Sequence, residues 1–173
     1  MNVINKLSIA ALVTSALRIS VLGISVLGIS VLALPTAANA ATEHCAHTDE
    51  TTIAALFDRW NASLKTLDSH KVTANYASDA VLLATVSNKP RTTHAEIDDY
   101  FVQFLKKQPS GAIDSRTIKV GCNIAQDVGT YTFSLKGGKK VSARYSYVYQ
   151  FIDGNWLIAH HHSSAMPETE IVK

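Results

Sequence analysis

The stretch that decides the fold is Ala143-Arg144-Tyr145-Ser146-Tyr147-Val148-Tyr149-Gln150-Phe151-Ile152, then Asp153-Gly154-Asn155, then Trp156-Leu157-Ile158-Ala159-His160-His161-His162-Ser163-Ser164. Asp-Gly between two β-rich runs is a strong hairpin signal. Side chains alternate along a strand. Tyr145, Tyr147, Tyr149 and Phe151 therefore share one face, with Arg144, Ser146, Val148 and Gln150 on the other. On the second strand strict alternation groups Trp156, Ile158, His160 and His162 against Leu157, Ala159, His161 and Ser163. Neither face of the hairpin is plainly polar, so both are expected to be covered. A covered sheet face carrying Tyr and His is a place for a small pocket with a polar floor.

Working towards the N-terminus, the sequence is β-rich back to Ser115. Strands are expected over Ser115–Asn123 and Val128–Leu135, and Lys136-Gly137-Gly138-Lys139 supplies a hairpin turn. Before them come helical patterns. Ile53, Leu56, Phe57, Trp60 and Leu64 recur at three and four and predict a helix to about Leu67, capped by Thr48 or Asp49. Ser69 can cap a short helix, Lys71 to Tyr76. Asp79–Ala84 reads as a strand. Thr93 and Glu96 form a capping box for a third helix with Ile97, Tyr100, Phe101, Phe104 and Leu105 on one side. Helices gathered early and a meander late argue an α+β fold, with helices on one face of a sheet.

Residues 1–40 read as a signal peptide. Lys6 and Arg18 are the only charges before Glu43, Ile19–Leu34 is apolar, and Ala38-Asn39-Ala40 is a small-x-small cleavage site. The apolar run is short for a span of about 20 residues. Residues 41–49 form an N-terminal tail, 50–167 one domain, and 168–173 a C-terminal tail. Without Lys6 and Arg18 the sixteen basic residues become fourteen, against fourteen acidic ones. Charge therefore implies no nucleic-acid partner, and no membrane partner once the signal is cleaved. A periplasmic or secreted chain with one pair of cysteines is expected to form a Cys45–Cys122 disulfide; two buried thiols are the alternative.

Phe57-Asp58-Arg59-Trp60-Asn61, Tyr76-Ala77-Ser78-Asp79-Ala80-Val81-Leu82, Ser87-Asn88-Lys89-Pro90-Arg91-Thr92 and above all Asp153-Gly154-Asn155-Trp156 with His160-x-His162 carry a resemblance. They resemble the nuclear transport factor 2-like superfamily. Within it the chain is similar to exported bacterial relatives of the calcium/calmodulin-dependent protein kinase II association domain. The resemblance implies a cone, a curved antiparallel sheet with three helices on its concave face and a pocket at the open end. It also implies self-association, as a homodimer or larger ring. The kinase family has an arginine where this chain has Ser163 and another where it has Tyr147, so that family's anion pocket does not carry over intact. Neither a kinase domain nor a calmodulin-binding helix is expected.

These readings together give expected ligand-binding residues Trp60, Arg91, Arg144, Tyr147, His160 and His162, with a small anionic or aromatic molecule as partner. Arg144 can bind a carboxylate or pair with an acid such as Asp79 or Glu96. No cofactor or metal is expected, since His160 and His162 lack an identifiable third ligand. The function expected is an oligomeric ligand-binding domain. The alternative is an enzyme of the polyketide cyclase or isomerase (SnoaL-like) kind, with a pocket histidine as acid or base.

Overall fold

A computed structural model describes residues 44–168. The expected signal peptide and the final residues of the C-terminal tail lie outside them. The order is α1 (Glu50–Leu64), α2 (Ser69–Thr73), β1 (Tyr76–Leu83), α3 (His94–Phe104), a short helical turn (Leu105–Lys107), β2 (Ser110–Val120), β3 (Ile124–Ser134), β4 (Lys140–Ile152) and β5 (Asn155–Ala165).

Local chemistry sets the helix ends. The Asp49 carboxylate accepts from Thr52 N–H and caps α1; Asp68, rather than Ser69, does the same for α2. Thr93 caps α3 by accepting from Glu96 N–H, while Glu96 accepts from Thr92 N–H and pairs with Lys89.

The sheet runs β1-β5-β4-β3-β2. Its last four strands form the antiparallel meander, and β1 joins the edge parallel to β5. The sheet is therefore mixed, not wholly antiparallel. The helical segment between β1 and β2 carries the chain from one edge to the other. Within the meander two bulges break the alternation, because an extra residue on one strand bends it and reverses which side chains face inward. Asp114 is the extra residue between Ile113 and Ser115, opposite Tyr131 and Thr130. There the strands come so close that a Cβ on Gly129 would sit 1.9 Å from Ser115 O. The second bulge, at Ala159, decides the site.

One helix face and two strand ladders of aromatic residues make the core. Ile53, Leu56, Phe57, Trp60 and Leu64 of α1 are buried against Tyr131 and Phe133 of β3 and Tyr145, Tyr147 and Tyr149 of β4. The Phe57–Asn61 motif explains itself physically. Phe57 and Trp60 fill the core. Arg59 donates to Asn75 Oδ1 and to Trp156 O, tying α1 to β5. Asn61 exchanges two 2.8 Å bonds with the Gly111 backbone, tying α1 to β2.

Cys45 and Cys122 are bonded, with Cα atoms 4.7 Å apart and a sequence separation of 77. Closing so long a loop restricts the unfolded chain and stabilises by about 2–5 kcal/mol. Asn123 reinforces the clasp by accepting from Ala46 N–H and donating to His44 O.

Candidate functional site

A cavity of about 240 Å³ opens between α3, the β3 and β4 ends and the segment after β1. Its walls are aromatic, including Trp60, Tyr100, Phe101 and Phe133. Its polar floor is Thr85, Tyr131, His161 and Ser163.

The Ala159 bulge puts His161 there. Tyr149 pairs with Ile158 and Val148 with His160, so Ala159 has no partner and the parity of β5 changes. Trp156 and Ile158 face inward before the bulge, and His161 and Ser163 face inward after it; all four are buried. His160 and His162 go to the outer face, half-buried and exposed, their rings 6.5 Å apart. The expectation that these two line the pocket is corrected: strict alternation was carried through a residue that breaks it.

Arg144 also lies on the outer face, exposed, its Nε donating to Ser164 Oγ at 3.1 Å. It reaches neither the cavity nor a carboxylate, because it sits one residue out of phase with the inward tyrosines. Tyr147 is fully buried behind the cavity, stacked on His161 with centroids 4.1 Å apart. Arg91 holds its guanidinium 4.6 Å from the centre of the Tyr100 ring and donates to Ser87 Oγ and Lys89 O. It braces a wall rather than lining the cavity. Trp60 lines it directly.

His161 is fixed in one form. Tyr76 OH lies 2.9 Å from His161 Nδ1. A phenol is the better donor of this pair, and Tyr76 has no other acceptor among the described residues. Its O–H therefore points at Nδ1, which leaves the proton of the neutral ring on Nε2. That Nε2–H is buried with no partner among the described residues. Burial, with His160 and His162 nearby, pushes the ring's pKa down to about 3. The imidazole is thus a neutral donor at working pH, not an acid or base.

The hydroxyls form a chain. Tyr131 donates to Ser163 Oγ at 2.6 Å, and Ser163 Oγ shares a hydrogen with Thr85 Oγ1. Burial drives the Tyr131 phenol well above its usual range, so it stays protonated. Three hydroxyls joined by two bonds leave one proton over. The floor therefore offers a spare O–H and an imidazole N–H, both neutral, inside an apolar wall. Among the described residues no carboxylate lines the cavity. The buried carboxylate of the core, Asp127, is held elsewhere by Arg116 at 2.9 Å and by Tyr145 OH at 2.8 Å. Among the described residues no three His, Cys, Asp or Glu side chains gather as metal ligands, and no helix is long and apolar enough to cross a membrane.

An α+β sheet with helices on its inner face and a cavity at one end is the nuclear transport factor 2-like architecture. A nuclear transport factor 2-like protein of Pseudomonas putida shares it at a TM-score of 0.63 and 17% identity, over 75% of this chain and 95% of that one. The family model for the calcium/calmodulin dependent protein kinase II association domain matches residues 49–167, and the chain belongs to that family. It is 50% identical to a candidate association domain of the same family from Xanthomonas campestris, over 71% of this chain and 91% of that one, with a TM-score of 0.68. The iota-carbonic anhydrase of a cyanobacterium, complexed with bicarbonate, has the same fold at 20% identity, with a TM-score of 0.64 over 70% and 94% of the two chains. No curated protein matches.

Proposed function

We propose that this chain is an exported, self-associating domain whose cavity takes a bicarbonate-sized planar oxyanion and interconverts it with carbon dioxide. The observation that carries the reading is the unpartnered, neutral His161 Nε2–H beside the Thr85–Ser163–Tyr131 hydroxyl chain. A buried donor without an acceptor costs about 1–3 kcal/mol. A ligand oxygen relieves that cost. A cavity of about 240 Å³ admits only a small molecule, and the cyanobacterial neighbour of this fold holds bicarbonate.

The chemistry balances on these residues. A water oxygen adds to the carbon of CO2. One water proton passes to Ser163 Oγ, which gives its own proton to Thr85 Oγ1, and the Thr85 proton leaves to solvent. The charge developing on the CO2 oxygen is met by His161 Nε2–H. Bicarbonate and one proton are the products. Donors already aimed where charge develops need no reorganisation at the moment of reaction. The cyclase or isomerase alternative is less well supported. It needs a group that keeps a proton taken from carbon and returns it, whereas His161 is held near 3, no carboxylate lines the cavity among the described residues, and the hydration step only passes its proton on to solvent.

Calorimetric titration with bicarbonate tests the ligand. Binding is expected, with affinity reduced about tenfold or more in Ser163→Ala, since one hydrogen bond to a charged group is worth about 1.5–3 kcal/mol. Equal affinity in the two proteins would remove Ser163 from the site.

Self-association is supported by family membership and by the outer face of β4 and β5. Val148, Ala159 and His160 are only half-buried there, and the helices lie on the other face. Sedimentation at high micromolar concentration is expected to give a dimer or larger; a monomer would contradict it. Export is supported by the Ala38-x-Ala40 site and by a disulfide that persists in oxidising compartments.

A further inference from the structure

The cavity mouth carries two lysines from segments remote in sequence. Lys107 ends the helical turn after α3, and Lys139 closes the turn between β3 and β4; both are exposed and line the cavity. Backbone bonds hold the two segments together. Lys136 N–H donates to Lys107 O at 2.7 Å, and Leu135 N–H donates to Lys139 O at 2.8 Å. Lys71, Lys89 and Arg116 each have a carboxylate partner, but neither Lys107 nor Lys139 has one among the described residues. Among the described residues no Asp or Glu lines the cavity to offset them. Outside residues 1–40 the chain has as many acidic as basic residues, so a positive mouth is a local arrangement and not a consequence of a basic protein.

We infer that Lys107 and Lys139 select the charge of what enters. They draw small anions to the mouth and retain them, while the neutral floor recognises shape. This deepens the oxyanion reading of the cavity and rests on it. Exposed lysines contribute little as single contacts. Their effect is on the field at a mouth with low-dielectric walls, which raises the local concentration of an oppositely charged ligand and is screened by salt.

The test uses the intact disulfide-bonded protein and two planar probes of similar size, bicarbonate and uncharged urea. The variant is Lys107→Glu with Lys139→Glu, and Lys107→Gln with Lys139→Gln serves as a milder second variant should the reversed charges disturb folding. At low ionic strength the reversed pair is expected to weaken bicarbonate binding roughly tenfold and the neutral pair severalfold. Urea binding is expected to be unchanged. Added salt is expected to weaken bicarbonate binding to the unaltered protein and to have no such effect on either variant. Undiminished bicarbonate affinity in both variants would overturn the inference while leaving the cavity reading intact. An equal loss for urea would overturn it as well, since the lysines would then act through shape. If the unaltered protein binds no bicarbonate, the cavity reading and this inference fall together.

Discussion

His161→Phe is expected to lower carbon dioxide turnover by about 10²–10³-fold, the range seen when one preorganised donor to a developing oxyanion is removed. Phenylalanine keeps the stacking on Tyr147 and the edge contact with Trp60 but has no N–H. The same variant has a second readout. In the folded protein the ring titrates near 3, whereas an unfolded histidine titrates near 6.5. Between those values the unfolded chain binds the extra proton. Stability is therefore fully present above about pH 6.5 and falls by about 1.4 kcal/mol per pH unit on acidification towards pH 3. His161→Phe removes that contribution. At neutral pH the Tyr76 hydroxyl loses its acceptor, a cost of about 1–3 kcal/mol that removal of the unpartnered Nε2–H offsets in part. A variant with unchanged turnover and an unchanged acid profile would show that His161 is neither the donor nor buried neutral.

The larger effect on stability is expected at Asp127. Its carboxylate has no solvent exposure and is held by the Arg116 guanidinium and the Tyr145 hydroxyl. Removing one partner of a buried pair leaves the other charge without compensation. Asp127→Ala is expected to lower the unfolding free energy by about 3–5 kcal/mol in urea titration. Adding Arg116→Met is expected to restore part of that, because the stranded charge is gone. A loss below about 1 kcal/mol in the single variant would mean that solvent reaches the carboxylate.

Much of the fold was legible because its signals are local. The spacing of Ile53, Phe57, Trp60 and Leu64 predicts α1, Thr93 with Glu96 predicts the start of α3, and the Asp153-Gly154 turn predicts the β4–β5 hairpin. The parallel pairing of β1 with β5 was not legible, since nothing in Tyr76–Leu83 names its partner strand. The site was read in part. Three consecutive histidines satisfy either parity, and a bulge at an alanine leaves no mark in the sequence. Strict alternation therefore places His160 and His162 on the inner face, where the bulge instead puts His161. Arg144 and Tyr147 could never have shared a pocket, because their positions differ by an odd number along one strand. Tyr131 was missed although it alternates with Phe133, the spacing of the inward face. Asp127 has the same parity but lies just before Val128, where the β-rich pattern of the sequence starts. Ser163 did carry a signal: it stands where the resemblance implies an arginine, so a cationic floor has given way to a hydroxyl one.

The most direct test is stopped-flow hydration of carbon dioxide by the disulfide-bonded protein, followed by proton release in a weakly buffered indicator at near-neutral pH. The expected rate rises linearly with protein concentration and drops to the buffer rate when His161→Phe and Ser163→Ala are combined. A rate equal to buffer for the unaltered protein, in a preparation that binds bicarbonate calorimetrically, would contradict that expectation and leave a binding domain without turnover.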